Sequence, residues 1–411
     1  MTALVYIKLA WRNILRNKRR TFIAGIAIGV GLAALMFTDA LYIGMENNMI
    51  ESATGSFLGD GQIHRAGYRE SREVTETIND APDVIRRLDT TSIVTAHAER
   101  VYAMSMISSP ANVESIAMAG IDPAEERVVS QIDDAIQKGS FFTGDNARDI
   151  VIGADLAELL EVGIGDRVVL TVAQAESGDL SQEMFRVSGI YFFHMKELDR
   201  GMAFIRKSKA QSMLGLSSDQ IHEIALKFTS TSYGRDKNYP FWKEFSTNGN
   251  EAVGWTVLLP QMEAVFEMSN FSTAMIGVIL FGVVALGIIN TLFMSLYERM
   301  FEFGVLRAVG TRPLAMGRLI IFEAGALAVI SIVMGVILGA ASTFIFMKTG
   351  IDYTGIEFAG VTFQHLLYPV MKVKQFVIYP IAVFFFTLLI GLYPATFAAR
   401  MRPAEAMRRS V

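Results

Sequence analysis

The sequence predicts an α-helical membrane protein with four transmembrane helices in a one-plus-three arrangement. A large α+β extracytoplasmic domain is inserted between the first helix and the second. Three observations carry this. Four stretches hold no charged residue, 22–38, 271–296, 324–347 and 375–399, and a hydrocarbon core about 30 Å thick takes about 20 apolar residues to cross as helix. Roughly 230 residues of ordinary soluble composition separate the first stretch from the second. Basic residues gather in the short segments that such a layout leaves on one face of the membrane.

The segments follow in order. Residues 1–21 form a cytoplasmic amphipathic surface helix, 22–43 the first span and 44–268 the outward domain. Residues 269–297 form the second span, 298–313 a cytoplasmic loop and 318–347 the third span. Residues 348–374 form an outward loop, 375–396 the fourth span and 397–411 a cytoplasmic tail. Mean hydropathy of +0.36 with 19% charged residues suits spans joined to a soluble domain. The absence of cysteine excludes disulfides, thiolate zinc sites and cysteine nucleophiles.

Orientation follows from the basic residues beside the span ends. Residues 1–21, 297–318 and 396–411 together hold fourteen Lys and Arg against three acids. With four spans all three segments share one side, and the excess assigns them to the cytoplasm. In the first segment Lys8, Arg12, Arg16 and Arg20 recur every fourth residue, while Leu4, Ile7, Trp11 and Ile14 recur at three and four. Both spacings belong to one helix with a basic and an apolar face, suited to lie in the headgroup layer.

Within the spans, Gly25-x-x-x-Gly29 and Gly335-x-x-x-Gly339 would each let another helix approach closely. Asp39 near the end of the first run reads as an interfacial residue. Asn290 in the second span calls for a hydrogen bond to a neighbouring helix. Glu323 at the start of the third pairs with Arg318 or the interface.

Met45–Leu58 prolongs the first span as a stalk, and Gly59-Asp60-Gly61 ends it. Strands follow at Gln62–His64, Ile150–Ile152, Arg167–Val172, Phe185–Phe193, Met202–Ile205, Ile224–Phe228 and Trp255–Leu258, with a helix at Asp155–Leu160. The domain reads as α+β in two lobes. Catalytic constellations are absent: His64, His97, His194, His222 and His365 are scattered, and neither Gly-x-Ser-x-Gly nor His-Glu-x-x-His occurs. The pairs Asp133-Asp134 and Glu125-Glu126 read as solvated acids. No Gly-x-x-x-x-Gly-Lys loop exists, so nucleotide energy, if used, comes from another chain. No metal, cofactor or nucleic-acid partner is indicated.

The loop Glu298–Pro313 is too polar for lipid, yet Phe301, Phe303, Val305, Leu306 and Val309 are too apolar for a free linker. A short helix carrying both kinds of residue suits a groove on a partner protein, with Gly310 ending it and Pro313 opening the next span. Arg299, Glu302, Gly304, Leu306-Arg307-Ala308 and Gly310 resemble the coupling-helix signature of MacB/FtsX-type ABC transporter permeases. Tyr393-Pro394-Ala395, Ala398-Ala399-Arg400 and Pro403-Ala404-Glu405-Ala406-Met407-Arg408 resemble that family's ending, and Ala10-Trp11-Arg12-Asn13-Ile14-Leu15-Arg16 its entry. Val151-Ile152-Gly153, Leu156-Ala157, Gly165-Asp166 and Val187-Ser188-Gly189-Ile190 are similar to its outward domain. Gly61-Gln62-Ile63-His64 with Gly67-Tyr68 resembles the LolC/LolE lipoprotein-releasing branch.

The resemblance implies a permease subunit in the bacterial inner membrane. It implies a separate cytoplasmic ATPase dimer holding ATP and Mg, and a second permease protomer, either self or a sister chain. Closure of that dimer would pass through the coupling helix and the spans to the outward domain, releasing lipoproteins, with a periplasmic carrier as a further partner. Arg307 and Glu302 would pair across the ATPase groove, with Phe301 or Phe303 as apolar anchors. The same resemblance leaves two other outputs open: MacB-like export of another amphipathic substrate, and FtsX-like transmission to an extracytoplasmic protein.

Overall fold

The computed structural model describes residues 3–401, apart from 143, 145, 359–360 and 363–365. His365 and the stretch 403–408 named above lie outside the described residues. The chain divides into two compact units. One comprises Met1–Glu46, Glu267–Asp352 and Leu366–Val411, and the other Asn47–Phe266 and Tyr353–His365.

The first unit is helical. Helix α1 covers Ala3–Arg16 and α2 covers Lys18–Ala53. The remaining helices are α3 (Pro260–Glu298), α4 (Met300–Ala308), α5 (Pro313–Thr349) and α6 (Gln375–Arg400). Of these, α2, α3, α5 and α6 are long and apolar enough to cross a membrane, one before the α+β unit in sequence and three after it. Ile28, Leu32 and Met36 of α2 pack with Val284, Ile288 and Leu292 of α3, and with Leu327 of α5 and Val383 of α6.

The two glycine pairs turn out to be each other's partners. A Cβ on Gly29 would lie 3.1 Å from the backbone of Ser331 and Gly335, and one on Gly335 would lie 2.8 Å from the Gly29 carbonyl oxygen. Helices α2 and α5 therefore cross backbone to backbone. In lipid, where burying apolar surface gives little drive, such contact supplies the dispersion energy that holds helices together.

The basic ladder at the N-terminus does not form a single helix. It breaks at Asn17, where the Thr21 hydroxyl donates to the Ile14 carbonyl at 2.7 Å, so Arg20 opens α2 rather than closing α1. Tyr6 and Ala10 are buried, and Tyr6 stacks on Phe322 of α5 at 5.8 Å. Leu4, Ile7, Trp11 and Leu15 stay exposed. The helix thus carries three faces, apolar, basic and docked, where two were expected.

The second unit holds a ten-stranded sheet. Its strands are β1 (Gly61–Arg65), β2 (Val94–Ser108), β3 (Val113–Ile121), β4 (Ile136–Gly139) and β5 (Asp149–Gly153). They continue with β6 (Arg167–Ala173), β7 (Leu180–Tyr191), β8 (Met202–Arg206), β9 (Glu223–Phe228) and β10 (Asn250–Gly254). The order is β10-β1-β9-β2-β3-β8-β5-β7-β4, and β6 pairs with both β2 and β7. Pairing therefore returns on itself through β2, β3, β8, β5, β7 and β6. Only the β3–β8 and β5–β7 pairs are parallel.

Strand β2 serves both halves, pairing with β9 over 94–100 and with β6 over 106–108. Ile63, Val101, Ile107, Ile152, Leu170 and Leu226 lie in one continuous core, so the expected two lobes are one body. The strand expected at Trp255–Leu258 is a helical turn, and the strand lies upstream at β10. The cause is local. A Cβ on Gly254 would lie 2.0 Å from the Gly234 carbonyl oxygen, so the chain turns there, and Trp255 Nε1 donates to the Thr231 carbonyl at 3.1 Å.

Candidate functional site

Two places in the molecule combine buried charge with a structural junction. The first is the start of α4. Arg299 is buried, and its guanidinium donates to Glu323 Oε1 at 2.5 Å and Glu302 Oε2 at 3.0 Å. Asn13 of α1 donates to the same Glu323 oxygen at 2.6 Å. Arg16 of α1 reaches Glu302 Oε1 at 2.9 Å, and Arg20 of α2 reaches Glu298 Oε2 at 2.7 Å. The Arg299 guanidinium also lies over the Phe303 ring, 4.9 Å from its centroid.

Burial alone would raise the Glu302 carboxyl. Hydrogen bonds and charge from Arg16 and Arg299 instead hold it below the usual carboxylate range. Glu323 is 1% exposed; left alone, such an acid within an apolar helix would be costly, and here a buried arginine compensates it. Its partners are Arg299 and Asn13, not Arg318 or the interface.

The nine residues expected to couple to an ATPase divide in two. Arg299, Phe303 (1% exposed) and Gly304 face inward, and Phe303 packs with Tyr6, Leu296, Met316 and Ile320. Phe303 is therefore an internal residue and not an anchor for a partner, because it fills the space between α1, α3 and α5. Glu302 is occupied within its own chain, and Arg307 Nη1 donates to the Thr311 carbonyl at 3.3 Å. Phe301 (51% exposed), Leu306 and Ala308 face outward. Val305 and Val309 (83% exposed) extend that apolar ridge, and Gly310 closes the helix at φ +101°.

Asn13, Arg16, Glu298 and Glu323 were not expected here. Their signal was a lone acid at a span boundary and a polar residue on the buried side of an amphipathic helix. Elsewhere in this unit Gln375 donates to Asp39 at 2.8 Å. Asn290 is exposed, and its side chain makes no hydrogen bond among the described residues.

The second place is the end of α2. After Ala53 the helix widens into one π turn, Thr54–Leu58, a form common at functional sites. Phe57 packs edge-on with Phe204 at 4.7 Å, and the Arg100 guanidinium lies over the Phe57 ring, 3.7 Å from its centre. Arg100 is fully buried, bidentate to Glu126 at 2.6 and 3.0 Å and bonded to Glu223 at 2.8 Å. Burial opposes its charge, but these carboxylates outweigh that and keep it cationic.

Gly59 makes the exit possible. Its φ is +78°, and a Cβ would lie 2.8 Å from the Leu226 carbonyl oxygen. Asp60 then donates its backbone N–H to that carbonyl at 2.8 Å, and its carboxylate accepts the Phe228 N–H at 2.8 Å. The helix end is bonded into the central sheet.

Comparison with known proteins assigns the chain to a family. Residues 21–233 match the MacB-like periplasmic core domain, and residues 274–403 match the FtsX-like permease C-terminal region. The chain belongs to the MacB/FtsX-type permeases, the membrane subunits of ABC transporters. It is 22% identical to the lipoprotein-releasing system protein LolE of Haemophilus influenzae, over 97% of this chain and 98% of that one. It is 24% identical to LolC of Xylella fastidiosa over 71% and 72%, respectively. It is 21% identical to the macrolide export ATP-binding/permease protein MacB of Campylobacter jejuni, over 98% of this chain and 61% of that one. Among solved structures, the periplasmic region of MacB from Actinobacillus actinomycetemcomitans is similar at 14% identity with a TM-score of 0.34, covering 51% of this chain and 94% of that one.

Proposed function

We propose that this chain is the permease subunit of an ABC transporter that uses a separate cytoplasmic ATPase dimer to release lipoproteins on the extracytoplasmic side. ATP and Mg reside on that dimer. Both termini and α4 face the cytoplasm, residues 44–268 face outward, and a second permease protomer, identical or a sister chain, completes the transporter. Names of the LolC and LolE relatives support the cargo class, and the basic residues beside the spans support the orientation.

The observation that carries the coupling role is the outward ridge of Phe301, Val305 and Leu306 on α4, continued by Val309 at its C-terminal cap. The chain around its start is braced by ion pairs, Glu302 of α4 to Arg16 of α1, Arg299 before it to Glu323 of α5, and Glu298 at the end of α3 to Arg20 of α2. A push on the ridge cannot be absorbed by a loose loop. It is passed to α2, whose far end is bonded into the sheet through Asp60. A helix transmits displacement along its axis without stretching, so α2 serves as the lever. Asn290 on α3 fits a helix of the second protomer, which would satisfy its amide.

The test places Glu at both Val305 and Leu306. Membrane insertion persists, while co-purification with the ATPase and lipoprotein release are lost. Wild-type ATPase yield with normal release overturns the coupling role. The cargo is tested by photocrosslinkers at the outward ends of α2 and α3. Trapped lipoprotein supports release, trapped small amphiphile supports MacB-like export, and a trapped extracytoplasmic protein supports FtsX-like transmission.

A further inference from the structure

The uncharged stretch of α2 stops at Asp39, and that of α6 starts at Gln375. Both residues line a cavity of about 400 Å³, within the ~300–1,000 Å³ of small-molecule sites. Its frame is fixed, because the chain entering α6 is pinned to α2. The Val370 N–H donates to the Ala40 carbonyl at 2.8 Å, and a Cβ on Gly44 would lie 2.2 Å from the Tyr368 carbonyl oxygen. Gln375, 3% exposed, accepts the Lys372 N–H at 3.0 Å and donates its amide to Asp39 at 2.8 Å.

The charges on this frame do not neutralise one another. Asp39, Lys372 and Lys374 all line the cavity, and both lysines are exposed. None of the three enters an ion pair among the described residues. Asp39 is held only by neutral donors, the Gln375 amide and the Tyr379 hydroxyl. A carboxylate offers about four lone-pair sites, so two donors leave room for another. Opposite charges that share a cavity without meeting suit a ligand that carries both signs. Lysine ammonium groups bind phosphate as point charges, and Asp39 can accept from a primary ammonium. Ile378, one turn into the uncharged stretch of α6, adds an apolar wall.

We propose that this cavity binds the phosphoethanolamine head of a membrane phospholipid. Its phosphate meets Lys372 and Lys374, its ammonium donates to Asp39, and its first acyl carbons lie against Ile378. The source is a lipid because the cavity opens where two spans leave the hydrocarbon. The proposal rests on the reading of α2 and α6 as spans and is independent of the cargo.

The test uses the full-length protein in phosphatidylcholine nanodiscs. Each carries a trace of lipid with a diazirine near the start of one acyl chain and an ethanolamine, choline or glycerol head. The ethanolamine probe labels peptides containing Ile43 or Ile378. The choline probe, whose trimethylated nitrogen has no N–H, labels them about tenfold less, the effect of one charged hydrogen bond left unmade. Asp39→Asn removes the difference between these two probes, and Lys372→Gln with Lys374→Gln lowers labelling by both. Equal labelling by the ethanolamine and choline probes in the unaltered protein overturns the proposal. So does stronger labelling by the glycerol probe, which would make the lysines alone the site. Labelling spread evenly over the four long helices overturns the site while leaving the spans standing. Displacement of the ethanolamine probe by an equimolar amount of water-soluble glycerophosphoethanolamine would make a soluble molecule the ligand and overturn the lipid assignment. The comparison on the unaltered protein needs no variant to fold.

Discussion

Glu323 joins α1, α4 and α5 through Asn13 and Arg299. Removing one side of such a buried pair costs roughly 3–5 kcal/mol, whereas replacing both by apolar groups is often neutral. Glu323→Leu should therefore lower the unfolding temperature clearly, and Arg299→Met added to it should restore most of the loss. A double mutant no better than the single would show that Arg299 is not the group left uncompensated. At Asp199, burial raises the carboxyl to about 6, against backbone N–H bonds from Phe193 and Met195 that lower it. The folded state then binds this proton more tightly than the unfolded chain. Its contribution is fully present below about pH 4 and is lost as pH rises through about 6. Asp199→Asn should flatten that part of a stability-versus-pH curve, read by thermal unfolding; an unchanged slope would assign it to another group.

Helix packing and helix ends decide the next scale. Where a Cβ on Gly335 would meet the Gly29 carbonyl oxygen at 2.8 Å, Gly335→Leu must push α2 and α5 apart. Gly282→Leu, with open space around it, is the matched control and should leave the unfolding temperature unchanged. Similar losses at both sites would mean that the crossing contributes little. At the far end of α2, Phe57→Ala removes a ring held between Phe204 and Arg100, a change that costs about 3–5 kcal/mol in a packed core. Hydrogen exchange should then rise over residues 47–58, and protection as in the wild type would remove Phe57 as the anchor. The long β2 strand escaped the sequence reading for a physical reason. Its solvent positions Met104 and Met106 are as apolar as its core positions Val101, Ala103 and Ile107, so no period-two alternation appears.

Across the whole molecule the question is which side each part occupies. With no cysteine in the chain, single cysteines at exposed Ser177 and half-buried Thr311 report this directly. In intact cells a membrane-impermeant maleimide should modify Ser177→Cys, and Thr311→Cys only after the membrane is opened. Modification of both in intact cells would contradict the orientation. The brace around α4 and the anchor around Phe57 are built from ion pairs between residues far apart in sequence.

Order along the chain determined the class of this protein. Uncharged stretches of span length, a large polar insert, and an amphipathic segment between two of the spans are local properties, and an apolar run reads the same whatever packs against it. The short motifs Leu306-Arg307-Ala308 and Tyr393-Pro394-Ala395 are equally local. Which residues of α4 face outward was decided by tertiary structure, because Phe301 and Phe303 are chemically alike and differ only in what lies beside them. The same holds for the two glycine pairs, which could have met any helix.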